Sequence, residues 1–174
     1  MTLEAGYSRK EIGNKFEETV VAGLDYEKIR RDQIRESYFG KKFEEYLEEM
    51  FGVLKIKVTP QRLFKGEGEY CLVDFYEEGS GLWIEAKLSS HTASINSTFE
   101  KYQRYTTKLK IIHLRGTPRK WKDSSVEFVH VKEFYPMLEA KGNPELANKF
   151  RILAKGILPR EINKLLSDFV HSEN

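Results

Sequence analysis

Apolar residues change period several times along this chain, and each change marks a different element. Phe39, Phe43, Tyr46, Leu47 and Met50 recur at helical spacing and predict a helix ending near Gly52. Glu44 lies beside Gly40 at the edge of that stripe, with Glu45 and Glu48 further toward solvent. A β-rich block follows. Residues 53–59 read as a strand stopped by Pro60, residues 70–76 as a second and 82–88 as a third. Glu77-Glu78-Gly79-Ser80-Gly81 is the hairpin connection between the last two. Ile95, Phe99, Tyr102, Thr106 and Leu109 return to helical spacing, and residues 110–114 and 126–131 are short apolar strands.

Helical patterns flank this block. Ser8-Arg9-Lys10-Glu11 is a capping box ahead of Ile12, Phe16 and Val20, and residues 25–35 read as a second helix. Toward the C-terminus, Asn143-Pro144-Glu145 starts a helix with the stripe Leu146, Phe150, Leu153 and Ala154. Gly156 ends it, and Leu158, Ile162, Leu165, Leu166 and Phe169 form a last stripe. The order α-β-β-β-α-β-β predicts an α/β domain with helices on the faces of a central sheet. The expected organisation is a helical extension over 1–36, a core over 37–131, and C-terminal helices over 132–174. Those last helices would pack on the core or form a dimer interface.

Composition narrows the setting. A chain of 174 residues, 40% hydrophobic, can bury about two-thirds of its unfolded surface without a metal or disulfide staple. Its apolar runs fall far short of the roughly 20 residues a membrane-spanning helix needs. Glu4, Arg9, Lys10 and Glu11 leave no apolar segment for a secretory signal. The single cysteine, Cys71, fits a reducing compartment, and the four histidines lack zinc-site spacing. The expectation is a cytoplasmic, intracellular protein with no membrane partner.

The net charge of +2 says little, but its distribution says more. Lys101, Arg104, Lys108, Lys110, Arg115, Arg119, Lys120 and Lys122 follow one another with no carboxylate between them, interleaved with Tyr102, Tyr105 and Trp121. Such a stretch suits a surface that tracks phosphates by releasing counterions. All of these except Lys110 are the expected nucleic-acid contacts. The plain alternative is a solvated helix face followed by a basic loop.

Chemistry enters at the hairpin. Strand alternation places Trp83, Glu85 and Lys87 on one face, and Leu82, Ile84, Ala86 and Leu88 on the other, expected to be the core side. Pairing of the two hairpin strands brings Asp74 beside Glu85. Two hard carboxylate oxygens suit Mg²⁺, and an adjacent ammonium can orient water and offset charge on a phosphoryl transition state.

Asp74, then Glu85-Ala86-Lys87, resembles the PD-(D/E)xK nuclease superfamily over roughly residues 38–114. Gly40-x-x-x-Glu44 resembles the first-helix glutamate of its junction-resolving members. Gln103 resembles the glutamine that follows the lysine strand in exonuclease and resolvase branches. The residue before Asp74 is Val73, where the signature carries proline. The resemblance implies a restriction-endonuclease-like αβα core with a central mixed sheet. It also implies catalysis by Asp74, Glu85, Lys87 and Gln103, and a metal set of Asp74, Glu85, Ala86 and Glu44. Mg²⁺, replaceable by Mn²⁺, would support DNA cleavage leaving 5′-phosphates. A homodimer follows if both strands are cut. Junction-resolving and restriction- or homing-like enzymes both remain open, as does an RNA-directed nuclease. So does a catalytically silent nucleic-acid-binding module on the same fold.

Overall fold

No proline interrupts the chain between Tyr26 and Leu54, and a single interior glycine costs a helix only about 1 kcal/mol. These residues form one helix, α1 (Tyr26–Leu54), rather than two. It also passes Gly52. Lys55 takes the left-handed turn at φ 59°, its N–H donating to the Gly52 carbonyl at 3.1 Å and that of Ile56 to Phe51 at 2.9 Å. The computed structural model describes residues 26–66, 68, 70–91, 98–117, 126–160 and 163. The chain divides into a unit of Ser37–Ile157 and a second of Met1–Glu36 with Leu158–Asn174. In the second unit, the described backbone of residues 26–36, 160 and 163 is helical. The expectations at Ser8–Val20, Ile95, Trp121, Ile162, Leu165, Leu166 and Phe169 lie outside the described residues.

The larger unit is built on five strands: β1 (Val58–Lys65), β2 (Tyr70–Glu77), β3 (Leu82–Ser89), β4 (Leu109–Arg115) and β5 (Val126–His130). They lie in sequence order in one sheet. The β1–β2 and β2–β3 pairs are antiparallel, and the β3–β4 and β4–β5 pairs are parallel. Helix α2 (Thr98–Gln103) lies in the crossover between β3 and β4. After β5 come a 3₁₀ turn (Val131–Phe134), α3 (Tyr135–Ala140) and α4 (Pro144–Ala154). This is the expected α/β class with a central mixed sheet.

The first strand departs from expectation. Pro60 does not stop it, because β1 is the sheet edge, where a missing N–H leaves no ladder partner wanting. Residues 53 and 54 belong instead to α1. The second helical stripe also shortens, since α2 ends at Gln103 and Leu109 opens β4.

Helices cover both faces of the sheet. On one, Phe51 of α1 meets Phe75 edge-on at 5.2 Å, and Phe43 and Tyr46 pack on Phe150 of α4. Asn143 accepts from the Leu146 N–H to cap α4, which buries Leu146, Ala147, Phe150 and Leu153. That stripe is therefore spent inside the unit rather than offered to a second copy. On the other face, Tyr102 of α2 meets Trp83 at 5.3 Å within a buried cluster of Cys71, Val73, Leu109, Ile111 and Val126. The Trp83–Glu85 face is therefore core as well: Trp83 is 5% exposed and Glu85 2%.

Candidate active site

The β2–β3 ladder runs through Glu77↔Leu82, Tyr76↔Trp83 and Phe75↔Ile84, and there it ends. The next opposed pair is Asp74 and Glu85. Where the strands part, the two carboxylates take over the backbone donors. The Ala86 N–H donates to Asp74 Oδ2 at 2.8 Å, and the Asp74 N–H to Glu85 Oε1 at 3.4 Å. On the other side of Asp74 the β1–β2 ladder also skips a pair, passing from Pro60↔Phe75 to Arg62↔Val73. The side chains of β2 change company at the same place. Cys71 and Val73 lie in the cluster with Tyr102, whereas Phe75 meets Phe51.

Lys87 completes the group. Its Nζ lies 2.9 Å from Glu85 Oε2, with the lysine side chain 19% and the glutamate side chain 3% exposed. Burial raises Glu85 to about 7; the Asp74 charge adds to the rise and Lys87 opposes it. Burial raises Asp74 as well, against the lowering influence of the Ala86 N–H, Lys87, Glu85 and Gln61. For Lys87, burial works against the ammonium, but Glu85, Asp74 and Glu44 outweigh it and hold its pKa above the usual lysine value. Two desolvated carboxylates thus share one ammonium, leaving the pair short of positive charge.

Glu44 comes to the same place from α1. Burial and the Asp74 charge raise its pKa while Lys87 lowers it. Gln61 donates through Nε2 to Glu44 Oε2 at 3.3 Å, a residue that no sequence motif singled out. Gln103, half-buried, is the last residue of α2. The preceding Tyr102 donates its hydroxyl to the Leu72 carbonyl, two residues from Asp74. Burial, with Glu85 and Asp74 close by, raises this phenol far above its usual range and keeps it protonated. Ala86 enters the site through its N–H.

Of the basic run, Lys101, Arg104, Lys108, Lys110 and Arg115 are described, and they stand on α2, the segment after it and β4. Lys108 and Arg115 flank β4 at opposite ends, roughly 20 Å apart at the usual strand rise. Lys108 donates to the Ser80 carbonyl at 2.7 Å, and Lys101 to that of Tyr70. Lys110 pairs with Glu127 at 3.2 Å. Arg115 lies over the Phe39 ring at 5.9 Å, with Nε and Nη2 buried and unpartnered. Arg104 is exposed beside Lys65, Gly66 and Tyr105, which together line a shallow cleft. Arg119, Lys120 and Lys122 lie outside the described residues.

A divalent cation can be tested against this donor set. Among the described residues no three His, Cys, Asp or Glu side chains converge as a metal cage. Two adjacent carboxylates do face each other, both raised in pKa. That is the charge deficit a hard cation relieves, and Mg²⁺ keeps several waters and needs only one or two protein carboxylates. Asp74 and Glu85 fit such an ion, with Glu44 one amide away. No family model, curated protein or solved structure matches the chain.

Proposed function

We propose that the chain is a Mg²⁺-dependent DNA endonuclease with a restriction-endonuclease-like core, hydrolysing phosphodiesters to leave 5′-phosphate ends. The observation that carries this reading is the opposed pair Asp74 and Glu85 at the parting of β2 and β3, with Lys87 bound to Glu85. The strand order, antiparallel through β3 and parallel beyond it, agrees with such a core.

In this reading Asp74 and Glu85 hold the cation, which when bound polarises the phosphate and acidifies a water. Lys87, paired with Glu85 on the same strand, would offset negative charge developing on the phosphate through its ammonium. Burial of the pair keeps solvent from screening that interaction. Tyr102 holds the backbone of β2 at Leu72, two residues from Asp74, and so fixes where that carboxylate stands. Cutting both strands of a duplex calls for two copies of the chain.

The second reading, a catalytically silent nucleic-acid-binding module, is favoured by one observation. Asp74 and Glu85 already satisfy strand amides and Lys87, as purely structural groups would. Incubation with supercoiled plasmid, linear duplex, single strand, four-way junction and matched RNA, in Mg²⁺ and in chelator, separates the readings. Mg²⁺-dependent cutting supports the nuclease and names its substrate. Salt-sensitive binding with every substrate left intact supports the silent module.

A further inference from the structure

Gln61 stands at an unusual backbone position for its size. Its φ is +50°, in the left-handed region that costs a residue with a Cβ about 1–2 kcal/mol. The position opposes Asp74 at the pair that the β1–β2 ladder skips. Pro60 precedes it on the edge strand. Its side chain runs to two carboxylates from different elements. Nε2 donates to Glu44 Oε2 on α1 at 3.3 Å, and the same amide stands near enough to Asp74 on β2 to draw its carboxyl pKa down. A side-chain amide carries two N–H donors, enough to serve both.

We infer that Gln61 is a positioning residue whose amide ties Glu44 of the helix to Asp74 of the sheet, making the helix carboxylate part of the same cation site. The inference rests on the reading of this cleft as a cation-dependent site, and it adds a member from the edge strand. Gln61 does not touch the reacting atoms in this account. It acts through the two carboxylates, offering them donors in the absence of the cation and keeping α1 and β2 in register with each other.

The test is a double-mutant cycle on the full chain. Gln61→Gly accepts φ +50° without strain and removes only the amide, while Glu44→Ala removes its partner. With Mn²⁺ alone as the probe, calorimetry is expected to show binding weakened about fivefold by either change and no further by both. In chelator, urea unfolding of the same four proteins is expected to show a coupling of about fivefold in the folding constant, about 1 kcal/mol. Independent, multiplying effects in both measurements overturn the inference. So does a Gln61→Gly protein that is simply more stable than wild type with no coupling to Glu44, since relief of strain would then be its whole effect. A wild-type chain that takes up no Mn²⁺ sinks the nuclease reading, and the unfolding cycle alone then decides the place of Gln61.

Discussion

Asp74 and Glu85 each satisfy a backbone donor that the parting strands leave without a ladder partner. Asp74 Oδ2 accepts from the N–H next to Glu85, and Glu85 Oε1 accepts from the N–H of Asp74 itself. This mutual capping brings two carboxylates together in a place water barely reaches. The same contacts that stabilise the strand ends therefore create the electrostatic strain on which the proposed chemistry depends.

The first consequence is a pH dependence of stability without added cation. A carboxyl raised from 4.5 to about 7 holds its proton more tightly in the folded chain than in the unfolded one. Folding then takes up protons between those values, and stability falls as pH rises through them. Asp74 and Glu44 are raised too and act in the same direction, whereas burial lowers His113 and His130, which act oppositely below 6.5. Comparison with Glu85→Gln at each pH isolates Glu85. The variant is expected to gain on wild type from pH 4.5 to about 7 and to hold that gain above. The gain should be a few kcal/mol, at about 1.4 kcal/mol per pKa unit. A difference that stays flat across the window contradicts the assignment.

Lys87→Met leaves Glu85 buried without the ammonium it pairs with. Urea unfolding should report a loss of about 3 kcal/mol at pH 8, the usual cost of an orphaned buried charge. At pH 5 the loss should shrink, because the unpaired carboxyl takes a proton there. Equal losses at the two values would show that packing of the lysine stem dominates.

Divalent cation should stabilise the protein most where the pair is ionised. At pH 8, Mg²⁺ at a hundred times its Kd adds about 2.7 kcal/mol, seen as a higher melting temperature in scanning calorimetry. At pH 5, protons compete for the same oxygens and the increase should be much smaller. Asp74→Asn should abolish the effect at both. A pH-independent increase that survives Asp74→Asn would place the cation elsewhere.

Tyr102→Phe keeps the ring against Trp83 and removes only the hydroxyl bond to the Leu72 carbonyl. The expected cost is about 1 kcal/mol in unfolding free energy. Because the bond anchors β2 close to Asp74, cleavage activity should fall by more than that stability loss explains. Unchanged activity would make Tyr102 a packing residue alone.

Much of the site was legible because its parts are local. Asp74, Glu85 and Lys87 sit on two strands joined by a short turn, so alternation and hairpin offset suffice to bring them together. Glu44 is named by the resemblance of Gly40-x-x-x-Glu44 to a first-helix glutamate, since its wheel position alone puts it only at the edge of the apolar stripe. Gln61 was not legible. Pro60 reads as a strand stop unless the strand is known to be an edge, and edge position is a property of the whole sheet. Nor does the sequence separate Tyr102 from Gln103, neighbours on a helix of six residues whose angle is set by what it packs on. Among the described residues, cations adjacent in sequence are carried by α2, the segment after it and β4, so the chain's path spaces them apart. The buried face of Glu85 was also hidden, since alternation shows which residues share a face but not that a helix covers it.

The central claim is that Asp74, Glu85 and Lys87 cut a phosphodiester with a divalent cation. Its most direct measurement compares wild type with Lys87→Ala on supercoiled plasmid and on a four-way junction, each in Mg²⁺ and in chelator. Wild type should cut at least one of the two in Mg²⁺ and neither in chelator, and Lys87→Ala should lose that cutting by at least a hundredfold while still folding. Cutting that persists in chelator, or that Lys87→Ala retains, would contradict the account.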